Sequence, residues 1–228
     1  MKNLEQLVSL LGIPFRNTTI KQAFIHRSYL NESKKATTSN ERLEFLGDSI
    51  LSYLVSDYLY RNYPNLPEGE LTNLRSSVVK TSTLAALAKS LNLGSYLLLS
   101  RGEEESGGRD NPSILADTFE SFLGAIYLDQ GISACLKILN KILFPLLPKI
   151  LKEKLYKDAK SSFQEIVQEV SKISPIYKVT AEKGPDHAKL FTIAVMVGNT
   201  LWAIGKGKSK QEGEQDAARA ALEKWNSK

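Results

Sequence analysis

The 228 residues contain one cysteine, Cys135, and two histidines, His26 and His187. One cysteine excludes an intrachain disulfide, and its apolar surroundings suit a small buried residue better than a nucleophile. Two histidines in different halves of the chain leave zinc sites and His-pair nuclease chemistry without ligands. Neither acidic segment carries the Glu-x-x-His pair of a di-iron bundle, and the chain has no P-loop or dinucleotide-binding glycine pattern. Long hydrophobic runs are missing too. The most apolar stretch, ILFPLLPKIL, is interrupted by Pro145, Pro148 and Lys149, short of the roughly 18 apolar residues a membrane span needs. Glu5 and Gln6 break the first apolar run with no small-residue cleavage site after it, so a cytoplasmic protein is expected.

What is present is ordinary for a globular protein: 42% hydrophobic and 24% charged residues. The net charge of +5 is unevenly placed. Residues 1–150 hold 16 Lys and Arg against 15 Asp and Glu, whereas 151–228 hold 14 against 10. A basic C-terminal part beside a near-neutral one points to an anionic partner for the former.

Apolar spacings of three and four predict helices over 3–11, 18–30, 40–61, 69–79, 81–91, 112–129 and 131–147. Asn40 and Ser113 are the expected N-caps. The polar, Gly-rich stretches at 62–69 and 100–113 read as turns. Residues 1–150 are therefore expected to form an all-α domain, with a charged linker at 151–158. From 159 to 228 the pattern becomes a helix, three short alternating strands and a last helix, a small α+β domain of order α-β-β-β-α.

The segment NERLEFLGDSIL at 40–51 puts Glu41, Glu44 and Asp48 at i, i+3 and i+7. At about 100° per residue they lie on one helix face, opposite a stripe of Leu43, Leu46, Ile50 and Leu54. A plain solvated face is the simplest reading of one such helix. Like charges at these spacings repel, however, and the face is costly unless something neutralises it. A second helix, SILADTFESFLGAIYLD, repeats the arrangement with Asp117 and Glu120, and Gly124 leaves room there for another helix. Oxygen ligands gathered from both helices suit Mg²⁺ or Mn²⁺. Clustered carboxylates with a metal, beside a basic domain, point to phosphodiester hydrolysis. Phe45 falls on the carboxylate side, where an exposed aromatic is either incidental or the mark of a contact with a second subunit.

These segments resemble the ribonuclease III family. NERLEFLGDSIL and SILADTFESFLGAIYLD look like its two acidic motifs, and FIHRSYL at 24–30 like its N-terminal helix. The pattern DAKSSFQE…GPDHAKLF…GKGKSKQEGEQDAARAAL resembles a double-stranded RNA-binding domain. The resemblance implies a homodimeric endonuclease that cuts double-stranded RNA with Mg²⁺, leaving 5′-phosphates and short 3′ overhangs, in the processing of ribosomal and other RNA precursors. It implies a metal site of Glu44, Asp48, Asp117 and Glu120, with Asp48 and Glu120 most critical for cleavage. Glu41 and Glu68 match acids linked to a second metal or to product-end geometry, and Phe45 the aromatic that plugs a socket on the other subunit. His26 and Arg27 match the N-terminal motif and read as structural.

In the second domain the resemblance places Lys160, Ser161, Gln164 and Glu165 against one minor groove and His187 against the next. Lys206, Lys208 and Lys210 would bind phosphates across the intervening major groove. Departures from the family pattern are Ser121, Ser162, Phe163, Gln211 and Gly213. Gln211 removes one potential phosphate contact, and Gly213, inside a helix, is expected to cost about 0.5–1 kcal/mol against Ala. A non-catalytic double-stranded RNA-binding protein on the same fold is the alternative, as is a carboxylate-bridged enzyme for small molecules, which leaves the basic domain unexplained.

Overall fold

The structure, a computed structural model, describes residues 7, 11–12, 17–33, 36, 38–152, 159–185 and 189–226. The chain divides into two compact units, Met1–Tyr156 and Lys157–Lys228. The first is helical. It contains α1 (Asn17–Gln22), α2 (Arg27–Leu30), α3 (Glu41–Asn62), α4 (Glu68–Val79), α5 (Thr81–Ser90), α6 (Arg101–Glu105), α7 (Pro112–Gln130), α8 (Ile132–Ile142) and α9 (Leu147–Lys152), with 3₁₀ turns between several of them.

Helix α7 runs through the middle, packed on α3 and α5. The sequence pattern suggested a one-sided apolar stripe, but α7 is enclosed almost all round. From Ile114 to Ile126 every residue is buried except Asp117 and Glu120. Leu43, Ile50, Leu51, Leu54 and Val55 of α3 meet Leu115, Phe119, Phe122 and Ile126 of α7 in one core. Removal of this apolar surface from water is the main stabilising term of the unit. Phe24 anchors the N-terminal segment to that core, its ring 6.1 Å from Phe122 and 5.4 Å from Tyr96.

Local structure departs from the sequence expectation in several places; the helix expected over 131–147, for one, ends at Ile142 and is followed by a 3₁₀ turn at Phe144–Leu146. The helix expected over 18–30 breaks after Gln22, because the backbone of 24–26 pairs with Leu98 instead, the Leu98 N–H donating to the Phe24 carbonyl at 2.8 Å. Ile25 bridges to Leu98, with His26 N–H donating to the Leu98 carbonyl at 3.1 Å. The loop expected over 100–113 contains α6, which Ser100 caps by accepting from the Glu103 N–H, a Ser-x-x-Glu box among glycines. The cap of α7 is Asn111, not Ser113; its side chain accepts from the Ser113 N–H at 2.9 Å, and Pro112 supplies the first-turn φ. Asn40 stands at the N-cap of α3 but its side chain makes no capping bond. No helix among the described residues is long and apolar enough to cross a membrane.

The second unit comprises α10 (Ala159–Ser171), β1 (Ile176–Lys183), β2 (Leu190–Val197), β3 (Thr200–Gly207) and α11 (Lys210–Asn226). The strands form an antiparallel sheet in the order β1-β2-β3, matching the expected α-β-β-β-α sequence. Phe163 and Val167 of α10, Ile193 and Val195 of β2, and Ala217, Ala218 and Ala221 of α11 make its core. The small alanines let α11 lie close to the sheet. Gly213 is part of that close approach: a Cβ there would sit 2.6 Å from Ile193 Cγ1. The expected penalty for a helical glycine is therefore outweighed. Overpacking costs about 1–3 kcal/mol against the up to about 1 kcal/mol that alanine gains in helix propensity. Gly213→Ala should lower the melting temperature of this unit, and a rise in thermal unfolding temperature would refute the packing argument.

Candidate metal centre and nucleic-acid interface

Two glycines set the distance between the acidic helices. A Cβ on Gly47 of α3 would collide with the Glu120 carbonyl, and one on Gly124 of α7 with the Leu43 carbonyl. The backbones thus touch at a crossing point that Glu44 and Glu120 flank by about one turn each. A second clamp lies at the start of α3. Buried Asn40 donates from Nδ2 to the Ala23 carbonyl at 3.4 Å and to Ser121 Oγ at 3.5 Å. Ser121 Oγ donates within reach of the Ala23 carbonyl at 2.9 Å and the Thr118 carbonyl at 3.0 Å. Ser121, one of the departures from the family pattern, is one residue from Glu120 and ties α7 to the start of α3. The burial of Asn40 and Ser121 carries no periodic signal of its own, so sequence reasoning assigned neither this role.

Carboxylate oxygens of Glu44, Asp117 and Glu120 all lie within 4.8 Å of one another, each residue half-buried. Asp48, one turn beyond Glu44, is exposed and outside that tight group, yet its charge acts on both Glu44 and Glu120. No Lys or Arg among the described residues forms an ion pair with Glu44, Asp117 or Glu120. Burial, then repulsion from Asp48, Asp117 and Glu44, pushes the Glu120 carboxyl up to about 8. Burial, then Asp117, raises Glu44 as well. Burial also raises Asp117, against an opposing pull from His26. Three crowded, half-buried oxygen donors, with no Lys or Arg paired to them among the described residues, fit a hard divalent cation.

A stability prediction follows from Glu120. Its folded-state carboxyl lies above the ordinary 4.5, so the folded protein holds this proton more tightly than the unfolded chain. That contribution is fully present below about pH 4.5 and is lost as pH rises through about 8. In chelator the melting temperature should fall across this window, and Mg²⁺ should recover most of the loss at the alkaline end. A pH series of thermal melts checks this. Glu120→Gln should flatten the slope, and an equal slope in that variant would contradict the assignment.

Of the other acids named from the sequence, Glu41 lies outside the tight group but lines the cavity beside it and acts on Glu44, whereas Glu68 is on another helix. Glu41 is exposed, accepts from Ser39 Oγ at 2.6 Å and lies 4.0 Å from Arg27. Glu68 opens α4 and accepts from Thr72 Oγ1 at 2.9 Å. Beside the tight group an open cavity of about 710 Å³ is lined by Glu44, Asp117, His26, Arg27, Glu103 and Asn111, among others. On the same helix as Glu44, Phe45 is 78% exposed. Next to it Leu46, Ile50 and Tyr53 of α3, with Tyr127 and Ile132, line a shallow apolar depression of about 450 Å³.

In the second unit, Ser161, Gln164 and Glu165 are exposed on α10. Lys160 is half-buried, its Nζ 2.7 Å from Glu214 and 4.9 Å from the centre of the Tyr177 ring. Lys206 and Lys208 are exposed, and acids of α11 hold their backbone: Lys206 N–H donates to Asp216 and Lys208 N–H to Glu212, at 2.9 and 2.8 Å. Lys210 begins α11, with Nζ 5.9 Å from the Phe191 ring centre. His187 lies outside the described residues. The result is a cationic loop at a helix N-terminus, a setting that favours phosphate.

Comparison with known proteins agrees with both halves. Residues 16–147 match the model of the "Ribonuclease-III-like" family, and residues 159–225 that of the "Double-stranded RNA binding motif". The chain is 45% identical to Ribonuclease 3 of Borreliella burgdorferi, covering 96% of this chain and 90% of the relative. It is also 45% identical to Ribonuclease 3 of Oceanobacillus iheyensis, covering 98% and 99%. Among solved structures, the nuclease domain of ribonuclease III from Campylobacter jejuni, described for flexibility in a region involved in dimer formation, superposes with a TM-score of 0.58. It is 37% identical, covering 63% of this chain and 99% of that one. With matches over both units and relatives aligned along nearly its whole length, the chain belongs to the ribonuclease III family of double-strand-specific endoribonucleases.

Proposed function

We propose that the chain cuts double-stranded RNA at a Mg²⁺ site formed by Glu44, Asp48, Asp117 and Glu120, leaving 5′-phosphates and short 3′ overhangs. The observation that carries this reading is the tight group of Glu44, Asp117 and Glu120, half-buried and without a cationic partner among the described residues. When bound, the cation supplies Lewis acidity toward water and the phosphodiester, and Mn²⁺ meets the same ligand requirement. The rigid crossing of α3 and α7 holds the three carboxylates in place before substrate arrives, so little reorganisation is needed. Asp48, exposed at the rim, completes the set from the solvent side. Glu41 and Glu68 act at the margin of the site, on product-end geometry or a second metal.

The second unit supplies the grip on duplex RNA. Lys206, Lys208 and Lys210 bind phosphates, and Ser161, Gln164, Glu165 and Lys160 meet a minor groove, reading shape and 2′-hydroxyls rather than sequence. His187 extends the footprint to the next minor groove. The protein works as a homodimer in which Phe45 of each subunit enters the apolar depression of the other; an exposed Phe beside such a depression supports this pairing. Ribosomal and other RNA precursors are its expected targets. The rival reading, a non-catalytic RNA-binding protein, leaves the unneutralised acids as an unexplained cost. Incubation with a long RNA duplex decides between them: cutting in Mg²⁺ and none in chelator is expected, and an intact duplex in Mg²⁺ would overturn the proposal.

A further inference from the structure

His26 borders the cavity beside the acids, and its surroundings fix which ring nitrogen carries the proton. The Ser28 backbone N–H donates to Nδ1 at 3.3 Å, which makes Nδ1 an acceptor. Ser28 Oγ lies 2.9 Å from Nδ1 and accepts the Ser100 N–H at 3.0 Å, which leaves its own proton free to point at Nδ1 as well. The neutral ring therefore carries its hydrogen on Nε2. Nε2 has no hydrogen-bond partner among the described residues. The half-buried ring shares one cavity with Glu44 and Asp117.

We propose that the Nε2–H of His26 is a substrate-positioning donor, which hydrogen-bonds an anionic phosphodiester oxygen of the RNA strand lying against Glu44 and Asp117. The inference rests on the cleavage reaction proposed above. A phosphate entering this cavity meets carboxylates that repel it. A lysine or arginine there would be drawn to those same acids, as Arg27, 4.0 Å from Glu41, illustrates. The imidazole of His26 is held on its Nδ1 side by Ser28, so its Nε2–H is not drawn into an ion pair with Glu41 as Arg27 is and still offers an anion a directed bond.

The competing explanation is that His26 only caps α2, since its side chain accepts from the Ser28 N–H. Two variants separate the roles. Asparagine presents its side-chain oxygen near the place of Nδ1 and is a good N-cap, but has no donor at the place of Nε2. Glutamine carries an N–H near the place of Nε2 and is a poor cap. Single-turnover cleavage of an RNA duplex in Mg²⁺ and the thermal melt are measured for both. His26→Asn is expected to keep the melting temperature and lose about 10- to 100-fold in cleavage rate, the worth of one hydrogen bond to a charged group. His26→Gln is expected to recover most of that rate despite a lower melting temperature, with duplex affinity unchanged in both. If His26→Asn cleaves like the parent, or His26→Gln is no better than His26→Asn while still folded, the donor role is overturned. A parent protein that does not cleave would instead sink the underlying reaction, and this inference with it.

Discussion

Glu120→Gln should lose about 10³-fold or more in the rate of duplex cleavage, because a metal centre contributes several kcal/mol to such a reaction. Glu120 is one of only three carboxylates in the tight group, and glutamine keeps its shape while removing the charge. Binding of the duplex should be unchanged, since the second unit with its own core carries it. A filter-binding or anisotropy titration beside a cleavage assay reads both. Metal-free Glu120→Gln should also melt at a higher temperature than the parent near pH 8. The parent's carboxyl, pushed up to about 8 by burial and by its acidic neighbours, opposes folding once it ionises. Loss of activity with gain of stability would identify Glu120 as a group held in an unfavourable setting for the sake of function. Loss of duplex affinity on the same scale as the loss of cleavage would mean that the two units do not divide the work.

Gly47→Ala should strongly destabilise the first unit. The new Cβ meets the carbonyl of Glu120, which is backbone inside a buried helix and has no rotamer to escape into. Separating α3 from α7 would open the core that both helices share, at a cost of about 3 kcal/mol or more. For a unit of this size that is roughly a 6–12 °C drop in melting temperature. Gly124→Ala, which meets the Leu43 carbonyl from the other side, should behave alike, and the double variant should cost less than the sum because both strain one contact. Circular dichroism melts of the three variants check this. A Gly47→Ala melting temperature within about 2 °C of the parent would show that the helices can part cheaply.

The helical class of the first unit and the α-β-β-β-α order of the second were readable because helical and strand periods are strong signals, and the three strands and last helix were bounded by clear turns. The two acidic faces were readable for the same reason: Asp117 and Glu120 interrupt an otherwise continuous buried run. What the sequence hid depends on tertiary partners. Ser113 looked like a cap, but the adjacent Asn111 and Pro112 do that work together. Asn40 looked like a cap and is instead a buried strut between segments far apart in the chain. Gly213 looked like a flaw until Ile193 was placed against it. Asp48, one helical turn beyond Glu44, is exposed, yet its charge reaches Glu120 on the other helix, a long-range coupling that no periodic pattern displays.

The crossing of α3 and α7 has a consequence for a protein still being made. Synthesis delivers Glu44 early and Glu120 much later, and on either helix alone the acids are only a solvated face. Until the chain has grown past Gln130 and the two glycines have met, Glu44 and Glu120 stay apart and the tight group of carboxylates does not exist. The core closes later still, because Cys135, Ile138, Leu139, Leu143, Phe144 and Leu147 belong to it. The proposed site is therefore a product of folding the whole first unit rather than of either helix.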